Sequence, residues 1–185
     1  MTNELHPMLT QVQKADELFQ ILVKKFSQSP TVWYNYAHFL HTSLASPDRA
    51  RALLPRATQS LPPHTHLNLT LKFAALEFHS SSGSPERGRT MFEGLLSTFP
   101  KRLDIWNQLL DLEIQQGDQD IIRGVFERVV KTKGLKPKGA KSWFRRWSEW
   151  EEKNGDQKSR EKVKAKAEEW VRVAAQKKDR GNDDE

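Results

Sequence analysis

The chain of 185 residues is 36% hydrophobic and carries a formal net charge of +6. It contains no cysteine, which excludes disulfide-stabilised scaffolds and thiolate chemistry, and it has no apolar run long enough to cross a bilayer. The N-terminal MTNELHPM also lacks the pattern of a signal peptide. We therefore expect a soluble intracellular protein.

The spacing of apolar residues predicts nine helices and no strands, and the first helix covers residues 11–27. Leu18, Leu22 and Phe26 lie on its apolar stripe. We interpret this helix as the second helix of a repeat whose first helix is missing, so that its apolar face needs a cover. The three residues are therefore candidate contacts for protein docking, above all for preceding repeats of a longer chain.

Proline and small polar residues separate the helices that follow. At the centre of the chain, Gly117 can adopt the left-handed conformation that ends one helix, and Asp118 can accept the first free N–H groups of the next. Residues 11–178 are expected to form the folded region, with a flexible segment at 1–10 and a disordered acidic tail at 179–185. The remaining predicted helices span 31–42, 49–60, 65–79, 86–98, 101–116, 118–130, 142–153 and 156–177.

The helices recur in pairs with a nearly constant step. Glu77, Glu113 and Glu151 occupy the same position of successive first helices, 36 and 38 residues apart. A period of this size in helix pairs is typical of an α-solenoid. The other aligned positions hold Trp33, Thr70, Trp106 and Phe144 in the first helices, and Arg51, Arg89 and Arg123 in the second helices.

This arrangement resembles the half-a-TPR (HAT) repeat. Its first helix carries a Trp, an aromatic or apolar residue and a Glu, and its second carries Arg, an aromatic residue, Glu and Arg, as in Arg123–Arg128. Several segments also look like the C-terminal repeats of the ribosomal RNA processing protein five family, large nucleolar factors that place OB-fold RNA-binding domains before their helical repeats. These segments are LKFAALEF (71–78), LLSTFPKRLDIW (95–106), GDQDIIRGVFERVV (117–130), FRRWSEWEEKNGD (144–156) and VKAKAEEWV (163–171).

The resemblance implies a right-handed all-α solenoid that acts as a non-catalytic scaffold. It implies a role in ribosome biogenesis, in pre-rRNA processing and small-subunit processome assembly, in the nucleus and nucleolus. The implied partners are pre-rRNA or snoRNA, pre-ribosomal assembly proteins and preceding repeats of the longer chain. An alternative is a HAT-repeat docking platform in another RNA machine, for pre-mRNA splicing or 3′-end processing.

Three tryptophans, Trp143, Trp147 and Trp150, lie on one helical face beside Phe144. Such a cluster can form an aromatic platform that stacks RNA bases. Trp147 and Trp150, however, align with apolar residues in every other repeat. This alignment favours packing between repeats for these two residues.

No catalytic or metal site is predicted. The aligned glutamates should lie about one helix layer apart, roughly 10 Å, so each is expected to bond a neighbouring helix or loop. The six histidines include the pairs His38/His41 and His64/His66, but neither pair has a third ligand in sequence. We expect no enzyme activity, no cofactor, no small-molecule substrate and no membrane contact.

Positive charge is concentrated in the last third of the chain. Residues 1–130 contain 13 basic and 13 acidic residues, whereas residues 131–185 contain 17 and 11. The segment 131–141 is predicted to be a basic loop whose lysines can follow a phosphate backbone and gain affinity by counterion release. An acidic protein partner and a merely solvated loop are the alternatives. The candidate RNA-binding residues are Lys131, Lys133, Lys136, Lys138, Lys141, Arg145 and Arg146.

Overall fold

A computed structural model describes the backbone of residues 5–180 and the side chains of residues 10–176. Within this range the chain forms nine α-helices, one short 3₁₀ turn at Pro63–Thr65 and no strand, which confirms the predicted all-α helical-repeat class. The helices are α1 (Leu5–Lys25), α2 (Pro30–Thr42), α3 (Pro47–Ser60), α4 (His66–His79), α5 (Pro85–Thr98), α6 (Leu103–Gln116), α7 (Gln119–Val130), α8 (Pro137–Asn154) and α9 (Gln157–Arg180).

Two helices begin earlier than the sequence pattern indicates. Helix α1 begins at Leu5, because Pro7 lies in its first turn, where a missing amide N–H leaves no hydrogen bond unmade. Residues 1–4 of the segment predicted to be flexible, and 181–185 of the predicted acidic tail, lie outside the described residues. Helix α8 begins at Pro137, which suits the first helical position for the same reason.

The chain divides into two compact units at Thr98 and Phe99. In the first unit, α2 pairs with α3 and α4 pairs with α5, while α1 packs on α2. Leu40 on α2 occupies the position that holds a glutamate in later repeats, so a different carboxylate must join the first helices of this unit. The carboxylate of Asp16 on α1 accepts hydrogen bonds from Tyr36 Oη at 2.8 Å and from Arg49 Nη2 at 2.9 Å. One carboxylate thereby joins α1, α2 and α3.

In the second unit, α6 pairs with α7 and α8 pairs with α9. Gly117 ends α6 with a φ of 85°, and the Asp118 side chain accepts the N–H groups of Asp120 and Ile121, as the sequence predicts. The ring of Phe126 on α7 stacks on Trp147 of α8 with a centroid distance of 5.4 Å. This contact fixes the spacing between successive repeats in the core of the unit.

The tryptophan of the repeat makes the same hydrogen bond and the same contact with an arginine in both units. Trp33 donates its indole N–H to the carbonyl of Ser27 at 2.8 Å, and Trp106 donates to that of Pro100 at 2.9 Å. The guanidinium of an arginine lies over each ring, at 5.7 Å in the first unit and 4.9 Å in the second. The repeat therefore anchors the start of its first helix to the preceding loop and places a cation on the aromatic face.

Two of the repeated glutamates, Glu77 and Glu151, bond neighbouring elements, as the alignment predicts. Arg51 on α3 binds both carboxylate oxygens of Glu77 on α4, at 2.7 and 2.9 Å, and the backbone N–H of Ser84 donates to the same carboxylate. Burial raises the pKa of Glu77, but these hydrogen bonds outweigh burial and hold the pKa below its ordinary value. The second helix of one repeat is thus tied to the first helix of the next.

The same tie recurs in the second unit. Arg123 on α7 binds Glu151 on α8 through its Nε at 2.9 Å and its Nη2 at 3.0 Å. The indole N–H of Trp147 donates to Glu151 at 3.3 Å. Burial raises the pKa of Glu151, but the hydrogen bonds of Arg123, Trp147 and Ser159 lower it below its ordinary value. Bidentate pairing of this kind fixes the orientation of two helices as well as their distance.

Candidate nucleic-acid interface

The candidate interface is the basic cluster, which we define as Lys131, Lys133, Lys136, Lys138, Lys141, Arg145 and Arg146. It begins where α7 ends and continues onto α8. Residues 131–136 form the connection, in which Gly134 takes the left-handed conformation at a φ of 77°. A side chain at that position would be strained, so the turn depends on glycine.

The predicted loop 131–141 is shorter than the sequence indicates. Pro137 occupies the first turn of α8, so Lys138 and Lys141 lie on a helix and not on a flexible loop. The pattern of two glycines and a proline hid this helix start, because proline favours a first turn as readily as a loop. The helix holds these two lysines one turn apart and adds the partial positive charge of its N-terminus to theirs.

The seven residues of the basic cluster are not equivalent. Arg146 binds Asn107 and Asp111 on α6, so its guanidinium takes part in the packing of the second unit. Lys131 lies 3.7 Å from the half-buried Glu127, and Arg145 lies 3.8 Å from the exposed Glu149, in pairs four residues apart. These three residues have part of their charge compensated by neighbouring carboxylates.

The remaining four, Lys133, Lys136, Lys138 and Lys141, have exposed side chains. No ion pair among the described residues involves any of them. Because their charges are neither buried nor matched by an acid, they can neutralise phosphates at little desolvation cost. They are the part of the basic cluster that is best suited to nucleic acid.

In the structure, Lys101 lies next to the basic cluster, although the sequence analysis did not select it. Its side chain crosses the turn at Gly134, where a Cβ atom would lie 2.9 Å from the Lys101 Nζ atom. Lys101, Lys136 and Lys138 line one cleft of about 440 Å³, together with Leu103 and Leu135. The connections before α6 and before α8 lie side by side, a proximity that only the repeat geometry provides.

The tryptophan cluster does not form a base-stacking platform. Trp143, Trp147 and Trp150 are all buried. Trp143 donates its indole N–H to the carbonyl of Phe126 at 3.1 Å, and the two rings meet in an edge-to-face arrangement. All three residues belong to the packing between α7 and α8, as the alignment indicated for Trp147 and Trp150.

Among the described residues, no group of histidine, aspartate and glutamate side chains is arranged to hold a metal ion. His41 is buried and its Nδ1 lies 3.0 Å from Ser82 Oγ. Burial lowers the pKa of His41 below its ordinary value. Between residues 5 and 180, no helix has the length and apolar character needed to span a membrane.

Two of the N-terminal docking candidates, Leu18 and Leu22, lie on α1, and Phe26 follows directly after its last residue, Lys25. Leu18 and Phe26 are exposed, at 55% and 47%, whereas Leu22 is half-buried. Ile21, which the sequence analysis did not select, is 59% exposed and lies one turn after Leu18. We name Leu18, Ile21 and Phe26 the α1 face. Its docking role stays a prediction.

A family model described as "Suppressor of forked protein (Suf)" matches residues 48–179. This match covers α3 to most of α9 and therefore well over half of the chain. The chain belongs to the Suf family. Membership agrees with the HAT-like columns of the sequence and with the repeated Arg–Glu ties of this Suf-family chain.

Relatives of the chain come from fungi, animals and plants. "rRNA biogenesis protein rrp5" of Schizosaccharomyces pombe is 46% identical over 160 residues, which cover 86% of this chain and 9% of the relative. "Protein RRP5 homolog" of Mus musculus is 38% identical over 159 residues, 86% of this chain and 8% of the relative. "Pre-mRNA-splicing factor CLF1" of Pyricularia oryzae is 27% identical over 131 residues, 65% and 18% of the two chains. The Suf-family chain thus spans about a tenth of the RRP5 relatives and about a fifth of CLF1.

Proposed function

We propose that this chain is a non-catalytic scaffold module of ribosome biogenesis, which contacts pre-rRNA or snoRNA and docks pre-ribosomal assembly proteins in the nucleolus. The observation that carries the proposal is the similarity of most of the chain, at 46% and 38% identity, to segments of two proteins named for rRNA biogenesis, from Schizosaccharomyces pombe and Arabidopsis thaliana. On the basis of that similarity, we assign to this module a role in pre-rRNA processing and in the small-subunit processome.

The exposed lysines of the basic cluster support the RNA contact. Lys133, Lys136, Lys138 and Lys141 lie within a segment without acidic residues, and Lys101 extends it across the cleft. Leucine, glycine and serine residues line the rest of that cleft without any aromatic ring, and the tryptophans of α8 are buried, so the surface offers charge and not stacking. Such a surface would bind the backbone of RNA with weak sequence preference.

A second candidate is a docking platform in another RNA machine, and the similarity to a pre-mRNA-splicing factor favours it. The two candidates differ in the RNA that accompanies the protein. We expect that purification of the full-length protein under native conditions, followed by sequencing of the bound RNA, recovers pre-rRNA and snoRNA. Enrichment of spliceosomal RNA or pre-mRNA in their place would contradict the ribosomal proposal and support the alternative.

The α1 face supports the docking part of the proposal. Three large apolar side chains are exposed there, two on α1 and one directly after it, and repeats of this kind bury such a face against a neighbouring repeat. We propose that the α1 face packs against preceding helices of the longer protein.

Changing Leu18 and Ile21 together to aspartate should prevent this packing, because charges would enter an apolar contact. A fragment extended upstream by two helix pairs should then lose stability in urea relative to its unaltered form, while the present chain should not. The substitution Glu17→Lys, at an exposed position of α1, is the control. Equal effects of the double substitution on the extended fragment and on the present chain would contradict the proposal.

A further inference from the structure

The outer face of α9 repeats the features that join earlier repeats to each other. Arg160 aligns with Arg123, one repeat further along the chain, and Val163 aligns with Phe126. Val163 is buried like Phe126, so the alignment holds in the structure. In α3 and α7, the arginine at this position binds a glutamate of the next first helix, at 2.7 and 2.9 Å.

Arg160 on α9 has no such glutamate within the described part of the chain. Its side chain is exposed, and no described carboxylate pairs with it. Lys164, one turn further on, is also exposed. The start of α9 therefore presents two cations on the face that, in α3 and α7, receives the next helix.

An apolar groove continues this face toward the end of α9. Its volume is about 600 Å³, and its lining contains Lys141 as the single charged residue and no acidic one. Ala167, Val171 and Ala174 follow Arg160 by 7, 11 and 14 residues, which places all four on one side of the helix. Val171 is 64% exposed, the largest exposure among the large apolar residues of the described chain. The groove is lined by Pro137, Lys141, Phe144, Ala167, Trp170, Val171, Ala174 and Ala175.

We propose that this α9 face is a docking site for an acidic amphipathic helix of another protein. Charge complementarity identifies the occupant. Lys141 lines an apolar groove that contains no acidic residue, and Arg160 and Lys164 lie on the same side of α9, toward its start. A helix with carboxylates beside an apolar stripe therefore matches the face in both charge and polarity.

The second unit of the chain gives the spacing that such a helix needs. On α8, Trp147, Phe144 and Ala140 precede Glu151 by 4, 7 and 11 residues, and all three are buried. The carboxylate of Glu151 binds Arg123 while Trp147 packs on Phe126. A partner helix should therefore place a glutamate at Arg160 and apolar residues 4, 7 and about 11 positions before it, against Ala167, Val171 and Ala174.

The test uses a labelled peptide with the sequence of α6, Leu103–Gln116, added to the intact chain and followed by fluorescence anisotropy. This peptide carries three acidic residues, and Leu109 and Trp106 precede its Glu113 by 4 and 7 residues. We expect binding with a Kd below about 1 mM. Val171→Asp should weaken binding at least about tenfold, because it places a charge in the groove without disturbing the core.

Charge exchange tests the pairing with Arg160. Arg160→Glu should weaken binding of the peptide about tenfold, and a peptide with Glu113→Arg should restore it. Lys158→Glu, the same charge change two residues earlier and therefore on another side of α9, is the control and should have a much smaller effect. No binding up to about 1 mM, or equal binding by wild type and Val171→Asp, would overturn the proposal.

Two further outcomes would assign the face to another occupant and overturn the proposal. Self-association in sedimentation that Val171→Asp abolishes would identify a second copy of the chain. A loss of RNA binding in Val171→Asp or Arg160→Glu would make the α9 face part of a nucleic-acid surface. The peptide titration contains no RNA, so its result is independent of the proposed function.

Discussion

Replacing Arg123 by alanine is expected to lower the free energy of unfolding by about 3 kcal/mol, because it leaves the carboxylate of Glu151 buried without its cation. Glu151 is 1% exposed and binds the arginine through both oxygens. The Arg123 side chain itself is 30% exposed, so water can enter the space it leaves. We therefore expect the lower end of the range for a broken buried pair. Urea denaturation at neutral pH measures the loss.

A matched control lies on the same unit. Arg145→Ala removes an exposed pair with Glu149 at 3.8 Å and should change the unfolding free energy by less than about 0.5 kcal/mol. A loss below about 1 kcal/mol for Arg123→Ala would mean that the Arg–Glu tie does not hold successive repeats together.

The pH dependence of the Arg123→Ala effect has a defined sign. Arg123 helps to hold the pKa of Glu151 below its ordinary value, against the effect of burial. The stability that the pair provides is therefore fully present above the ordinary carboxyl pKa, about 4.3, and is lost as the pH falls through the lowered pKa of the folded protein. The difference between wild type and Arg123→Ala should be largest near pH 7 and should narrow below about pH 4.

Charge reversal at Lys133, Lys136 and Lys138 is expected to weaken binding of single-stranded RNA about 100-fold at 0.1 M salt, since three phosphate contacts are lost. All three side chains are exposed and outside the core, so the helical content should not change. Reversal at Lys14, Lys24 and Lys25 of α1 is the matched control. Those lysines are also exposed but lie within residues 1–130, which have no net charge, so their reversal should have little effect.

Local and periodic features of the fold could be predicted from the sequence. Gly117 and Asp118 end and begin helices through their own backbone and side-chain chemistry. The packing roles of Glu77 and Glu151 follow from their spacing, because positions that recur with the repeat period face the same neighbours. Both kinds of feature depend on residues near in sequence or on the repeat alone.

Features that depend on packing between particular helices could not be predicted. The sequence predicts Arg146 to be an unpaired cation. Its partners Asn107 and Asp111 could not be recognised, because they lie 39 and 35 residues upstream. Lys101 belongs in the sequence to the neutral region 1–130, yet in the structure its side chain crosses the turn at Gly134. The basic cluster therefore loses one member to the packing of the unit and gains another from a neighbouring connection.

The salt dependence of RNA binding tests most directly whether the basic cluster binds RNA through phosphates. The logarithm of the affinity of the wild type should fall linearly with the logarithm of salt concentration, by about 0.7 for each phosphate neutralised on a single strand. The Lys133, Lys136 and Lys138 variant should show a slope shallower by about 2, and the Lys14, Lys24 and Lys25 variant should keep the wild-type slope. An unchanged slope and affinity in the first variant would contradict the account. If RNA binding were unchanged but the variant no longer bound a pre-ribosomal protein, the basic cluster would be a docking surface. If the variant kept both RNA binding and protein binding, the basic cluster would be a solvated segment.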